Sequence, residues 1–382
     1  ITHEDAPQYI WTNPQEVAGN HIDDDKNGFI DDIHGWNFLD ENHDFTDIRG
    51  HGTFVAGIIA AKYNNGVGIA GINPGAVIMP VKVADEEGVT SSLNIYRGIN
   101  YAVNHGARVI NVSLGGRSIS KLEQQAVERA GRLGALVVVA SGNNNENIVT
   151  FGPSSSRNVL AVGQIDYSGV RSTVSNWGPN LGLVAPGEQI YSLCSKDNKH
   201  VLPSLRKTGY YKQNGTSFST PMVAATASLI WAKNPELTNQ QVADIILATA
   251  ADMGDKGWDG MTGAGLLNAA AALRAETTEY LTIMFTNLRL NEDASGEVIS
   301  VDVYGTVRGA FKEFTIEAGK GKNPGGFKTV AGPFQNEVDS RHIARLKVKD
   351  ILRGSKEWVL RIKAVDENGK EHLASTPFTL PK

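Results

Sequence analysis

Three short segments of the 382-residue chain carry side chains suited to nucleophilic chemistry. The first sets a histidine between glycines in Asp47-Ile-Arg-Gly-His51-Gly-Thr-Phe-Val-Ala-Gly57. The imidazole titrates near neutrality, and the glycines let backbone approach it closely at the start of an apolar helix. Alone, it could equally cap that helix or satisfy a core. The second is Asn214-Gly-Thr-Ser217-Phe-Ser-Thr-Pro, with Ser217 at the opening of a small-residue helix. It is either an N-cap or a nucleophile whose developing oxyanion faces free N–H groups and the positive end of the helix dipole. The third, Val137-Val-Val-Ala-Ser-Gly-Asn143, is a buried strand ending in glycine and an amide, and a simple turn would explain it too.

A fourth segment suggests metal chemistry. Asp23-Asp-Asp25-Lys-Asn27-Gly-Phe29-Ile-Asp31-Asp32 has oxygen-bearing side chains at positions 1, 3, 5 and 9 and glycine at 6, the spacing by which a calcium loop gathers its ligands, with the Phe29 carbonyl at position 7. The alternative is a solvated acidic turn. Carboxylates this dense repel one another unless a cation neutralises them, which favours calcium.

These segments need a scaffold. From Val77 to Asn268 short apolar runs alternate with helical periodicity, the pattern of βαβ units and a parallel sheet. A buried strand is predicted over Val77–Val83, a helix over Ser92–His105 and a strand over Arg108–Leu114. A helix over Lys121–Leu133 and a strand over Ala135–Ala140 follow. Thr238 with Gln241 makes a capping box for a helix through Ala250. Beyond Leu273 the period becomes two: Ile299, Val301 and Val303 alternate with Ser300, Asp302 and Tyr304, and Trp358, Leu360 and Ile362 with Val359, Arg361 and Lys363. With turn signals at Asn323–Gly326 and Glu367–Gly369, the end of the chain reads as a small antiparallel sandwich. The predicted units are therefore 1–276, α/β, and 280–382, β.

Composition narrows the function classes. No apolar run is long enough to span a membrane as a helix, and the opening residues lack the regions of a signal peptide. The single cysteine, Cys194, has no partner within the chain, and no zinc-binding spacing occurs. A net charge of −5 gives no reason to expect nucleic acid as a partner. The first 277 residues hold 20 basic and 27 acidic side chains, the rest 16 and 14, so the two units differ in character.

Taken in order, Gly-His51-Gly-Thr, Ser113-Leu114-Gly115-Gly116, Ser-Gly-Asn143 and Gly-Thr-Ser217-Phe-Ser-Thr-Pro resemble the subtilisin-like serine proteases, the subtilases. Ser175-Asn-Trp-Gly178, Val184-Ala-Pro-Gly187 and Gly263–Asn268 extend the likeness over nearly all of residues 1–275. The resemblance implies a parallel sheet flanked by helices and peptide-bond hydrolysis through an acyl-enzyme. His51 would be the general base, Ser217 the nucleophile, and Asn143 the side-chain donor to the oxyanion beside the Ser217 N–H. Ser113–Gly116 would bind extended peptide and wall the first specificity pocket, with Gly88, Val89 and Thr90 as the opposite edge, so that substrate adds as a β-strand. The acidic loop, with His34 where an EF-hand has its glutamate, resembles a shorter subtilase insertion that Asp32 would complete. A second calcium site would use the side chains of Asp5 and Asn65 and the carbonyls of Tyr63, Val67 and Ile69.

Two departures accompany the likeness. Phe54 replaces a second histidine usual in the family, read here as a packing change. The orienting aspartate of the triad, which should begin an Asp-(Ser/Thr)-Gly turn, is absent. Asp23, Asp31 and Asp47 precede His51 but follow no apolar strand. The resemblance places that aspartate a few residues before Ile1, so the expectation is a chain missing its front and nearly inert as it stands, because the imidazole loses tautomer control. The rival expectation is a catalytically dead fold serving in binding or adhesion. The setting implied is extracellular or cell-envelope. The sandwich, similar to fibronectin-type surface modules, is expected to be dispensable for chemistry and to offer a surface or carbohydrate contact.

Overall fold

A computed structural model describes residues 3–276, 280–351 and 354–380. The expected boundary falls largely on 277–279, outside them. Four parallel strands, Val109–Val112, Leu136–Ala140, Val159–Ile165 and Leu181–Pro186, lie side by side in that order. Leu136–Ala140 is buried at all five positions, as a strand covered on both faces must be. Val137 and Val139 point into one layer, against Ile95 and Ile99 of the helix Ser92–Asn104 and Ala126 and Val127 of the helix Lys121–Arg132. Val138 points into the other, against Val223 and Ala227 of the helix Thr216–Lys233 and Val242 and Ile246 of the helix Asn239–Ala248. The capping box of Thr238 and Gln241 is formed, and its helix stops two residues short of Ala250.

The continuous strand expected over Val77–Val83 does not form. Val77–Ile78 pairs with Tyr9–Ile10, whereas Val81–Lys82 pairs with Trp36–Asn37. Pro80, between them, has no N–H to give a ladder. Gly35 lies so close to the Pro80 carbonyl that any Cβ there would clash with it.

The C-terminal unit packs the sheet Thr282–Glu292, Val298–Arg308 and Val338–Lys347 on the antiparallel strands Glu313–Lys320, Lys328–Phe334, Glu357–Val365 and Glu371–Thr379. Phe285, Val301, Val303, Phe314, Leu360 and Ile362 form its core. Ile299, expected inward, is 49% exposed. The pairing slips between Asn291 and Glu292, and this bulge turns Val298 into the core instead.

The two units interlock. Trp258–Asp259 pairs in parallel with Ala374 and Ser375 of Glu371–Thr379, adding a fifth strand to the sheet that holds it. The Trp258 ring sits in the sandwich core while its indole N–H donates to the Leu181 carbonyl of the parallel sheet at 2.8 Å. Arg308 pairs with Asp244 at 2.6 Å across the same seam. The units 1–276 and 280–382 therefore share a strand pairing and a core residue. Among the described residues no helix is long and apolar enough to cross a membrane.

Candidate active site

The helix Thr216–Lys233 begins at Gly215, whose φ of 147° favours glycine. Its first-turn donor is met by a distant residue: Asn143, just past the end of Leu136–Ala140, accepts from the Thr216 N–H at 2.9 Å and from the Thr216 hydroxyl at 3.1 Å. Asn143 therefore does the capping, and Ser217 does not. The Ser217 hydroxyl donates instead to the Ser113 carbonyl at 3.1 Å, while Ser113 Oγ donates to the Ser217 carbonyl at 2.8 Å. With its oxygen engaged by Thr216, Asn143 keeps the two N–H bonds of its exposed amide for another acceptor.

His51 opens the helix His51–Ala60, and it is not the cap either. Asp47 is, accepting from the Gly50 N–H at 2.8 Å and the Thr53 N–H at 2.7 Å. The His51 ring packs beside Phe218, the residue after Ser217, with centroids 5.6 Å apart. Fully buried Phe54 lies between Phe218 and Tyr211, so the side chain replacing the family's second histidine fills core. Burial pushes the His51 imidazole below its ordinary range, the Asp47 charge pulls it partly back, and Arg49 adds to the depression. The ring is thus neutral at pH 7 and able to accept a proton. Among the described residues no carboxylate hydrogen-bonds to it, and it makes no hydrogen bond to Ser217.

The nominated peptide edges occupy two places. Gly88, Val89 and Thr90 form an exposed hairpin closed by the Ala84–Thr90 bridge, with the Val89 N–H on the Asp85 carboxylate at 2.8 Å. Ser113, Leu114, Gly115 and Gly116 continue the strand Val109–Val112, and Gly116 bridges to Gly152.

The acidic loop closes differently from its sequence pattern. Asp23 and Asp25 converge with Glu16, one oxygen from each lying within 4.8 Å of the others. Glu16 precedes the loop and was not legible as part of it. Its carboxylate also accepts from the Asp24, Asp25 and Asp31 N–H groups. Asp31 turns away to hold the Gly19 and His21 N–H groups. Asp32 is buried under Asn13, Asn27 and the Tyr101 hydroxyl, which donates to it at 2.6 Å. Asn27 donates backbone and side-chain N–H to Asp25, and the Phe29 ring stacks among Trp36, Phe38 and Tyr101. At the second nominated site Asp5 is fully buried and accepts from Asn65 Nδ2 at 2.7 Å and the Ile69 N–H at 2.9 Å. Val67 donates its N–H to Asn65 Oδ1, while the Tyr63 side chain is solvent-exposed.

An open parallel sheet flanked by helices, with an imidazole on one helix, a hydroxyl in the first turn of another and an amide at a strand end, is the α/β architecture of serine-nucleophile hydrolases. The subtilase family model matches residues 9–265, and the chain belongs to that family. It is 39% identical over 226 residues to a cell wall-associated protease of Bacillus subtilis (strain 168), covering 59% of this chain and 24% of that protein. It is 38% identical over 240 residues to subtilisin Savinase of Lederbergia lenta, covering 63% of this chain and 83% of the relative. A solved lanthipeptide protease superposes with a TM-score of 0.56 at 29% identity, over 63% of this chain and 79% of that one.

Proposed function

We propose that the chain is the catalytic part of a serine endopeptidase of the cell exterior, acting on protein or peptide substrates. The observation that carries this is the cap exchange at the site. Asn143 and Asp47 satisfy the two helix starts, so neither Ser217 nor His51 serves as a cap, and the His51 ring packs on Phe218, the residue after Ser217. Ser217 Oγ attacks the scissile carbonyl carbon as the His51 imidazole takes its proton. The oxyanion accepts from the Asn143 amide and the Ser217 N–H. Collapse breaks the C–N bond with the proton returned to the leaving amine, and water repeats the sequence to release the acid. A relative that is a cell wall-associated protease supports an extracellular or wall setting, and a surface or carbohydrate contact of the sandwich would suit it.

Calcium belongs to the same proposal. Three carboxylates this close repel by about 3 kcal/mol per pair at an effective dielectric of ~20, less where water reaches them, and a hard cation with oxygen ligands removes that cost. Glu16, Asp23 and Asp25 would hold it, and its contribution is to stability rather than to any bond-making step.

A second reading rests on His51 having no carboxylate hydrogen-bond partner among the described residues: a fold that binds peptide without turnover. Labelling with a fluorophosphonate separates the two. Modification at Ser217 together with hydrolysis of unfolded protein, both abolished by Ser217→Ala (at least ~10³-fold in kcat), supports the protease. Peptide binding with neither labelling nor hydrolysis supports the second reading.

A further inference from the structure

We propose that Phe151 fills the pocket beside Ser217 and restricts cleavage to bonds that follow small residues; the proposal rests on the endopeptidase reading. Two strand ends flank the serine. One is Ser113–Gly116, tied to it by the reciprocal Ser113–Ser217 hydrogen bonds. The other is Ser141–Asn143, tied to the same helix start through the Gly142 N–H on Thr216 Oγ1 at 3.2 Å and through Asn143 on Thr216. A peptide laid along Ser113–Gly116 with its carbonyl at Ser217 and Asn143 directs the side chain preceding the scissile bond between these strands.

Both walls of that slot are bare, because Gly115 and Gly142 have no side chains, and a bare slot on its own would take a large apolar group. The Phe151 ring already lies in it. A Cβ on Gly142 would meet Asn176 Nδ2 first and then Phe151 Cε1 at 2.8 Å and Cζ at 3.0 Å, and one on Gly115 would meet the Gly152 carbonyl oxygen at 2.6 Å and the same Cε1 at 3.5 Å. The outer edge of the ring is therefore in contact with both walls at once, and the residue is only 6% exposed.

The ring is also held there from its backbone. The Phe151 N–H donates to the Ile148 carbonyl at 2.9 Å, and its own carbonyl accepts from the Ser155 N–H at 2.9 Å and the Ser154 hydroxyl at 3.1 Å. Asn147 fixes the preceding turn by accepting from the Val149 N–H. A large substrate side chain would have to displace a ring packed at interior density and anchored on both sides, and overpacking of that kind is resisted. An alanine side chain needs no displacement.

The test compares tripeptide anilides ending in alanine, leucine or phenylalanine, together with the boronic acids of the same peptides, whose boron takes up Ser217 Oγ without turnover. The native chain is expected to prefer alanine over phenylalanine by about 10-fold or more in kcat/KM or in inhibition, within the range one pocket's size discrimination delivers. Phe151→Ala should reverse the order, and Phe151→Leu, which keeps an apolar filling should the alanine variant fold poorly, should move it part-way. Equal or better use of phenylalanine by the native chain overturns the role of Phe151 and leaves the protease reading intact. Failure of every anilide and every boronic acid removes the protease reading itself.

Discussion

Asp47 commits both carboxylate oxygens to backbone N–H groups of the helix that carries His51, yet its charge still reaches the imidazole. Because burial holds the His51 pKa below its ordinary 6.5, the acid limb of kcat/KM is expected below pH 6.5. The same depression makes folding favour the neutral ring: this contribution is fully present above pH 6.5 and is lost as pH falls toward the folded-state value. Asp47→Asn removes the charge that partly opposes the depression, so the limb should move to still lower pH, while one of the two backbone acceptors survives. Asp47→Ala should give the same kinetic shift and additionally cost about 1 kcal/mol as the helix start loses its cap. A pH–rate profile and a thermal melt on each variant check both effects; an acid limb that rises on loss of Asp47 would contradict the electrostatics described.

At the level of elements, the Asp23–Asp32 loop is held by hydrogen bonds that centre on Glu16 and by the buried Asp32. Chelation should lower the melting temperature by several degrees, and Glu16→Gln and Asp25→Ala should each abolish that difference while Asp31→Ala, outside the cluster, leaves it in place. A melt indifferent to chelator would reduce the loop to a hydrogen-bonded turn. His51, Ser217 and Asn143 could be nominated from the sequence because their segments combine glycine and small residues with one reactive group each, and that pattern does not depend on distant partners. Glu16 was not, since only the folded path of the loop brings it back to Asp23 and Asp25. Phe151 was hidden for the same reason: in sequence it is one aromatic beside a turn, and only the closing of two strand ends makes it the floor of a slot. Ile299 and the broken Val77–Val83 strand failed because a bulge and a proline override period-two patterning.

Across the whole molecule, the seam at Trp258 ties the stability of the two units together. Trp258→Ala leaves a cavity in the sandwich core and removes the indole N–H from the Leu181 carbonyl, an expected loss of about 3–5 kcal/mol. Calorimetry should show one transition moving down as a whole; two separated transitions, with only one displaced, would mean the units melt independently. A chain ended at Glu276 would uncover Trp258 and leave Asp244 without Arg308, so loss of turnover on truncation is expected through lost stability, with no residue of the sandwich taking part in chemistry. The seam also has a bearing in time. A ribosome delivers the strand Glu371–Thr379 roughly 110 residues after Trp258–Asp259, a delay on the order of 10 s at ordinary synthesis rates. Through that interval the edge of Trp258–Asp259 has nothing to pair with, and every residue of the reactive constellation has already been made. The nascent chain therefore carries His51, Asn143 and Ser217 before it owns the strand that pairs with Trp258–Asp259, and until that strand arrives the seam lends these residues no stability.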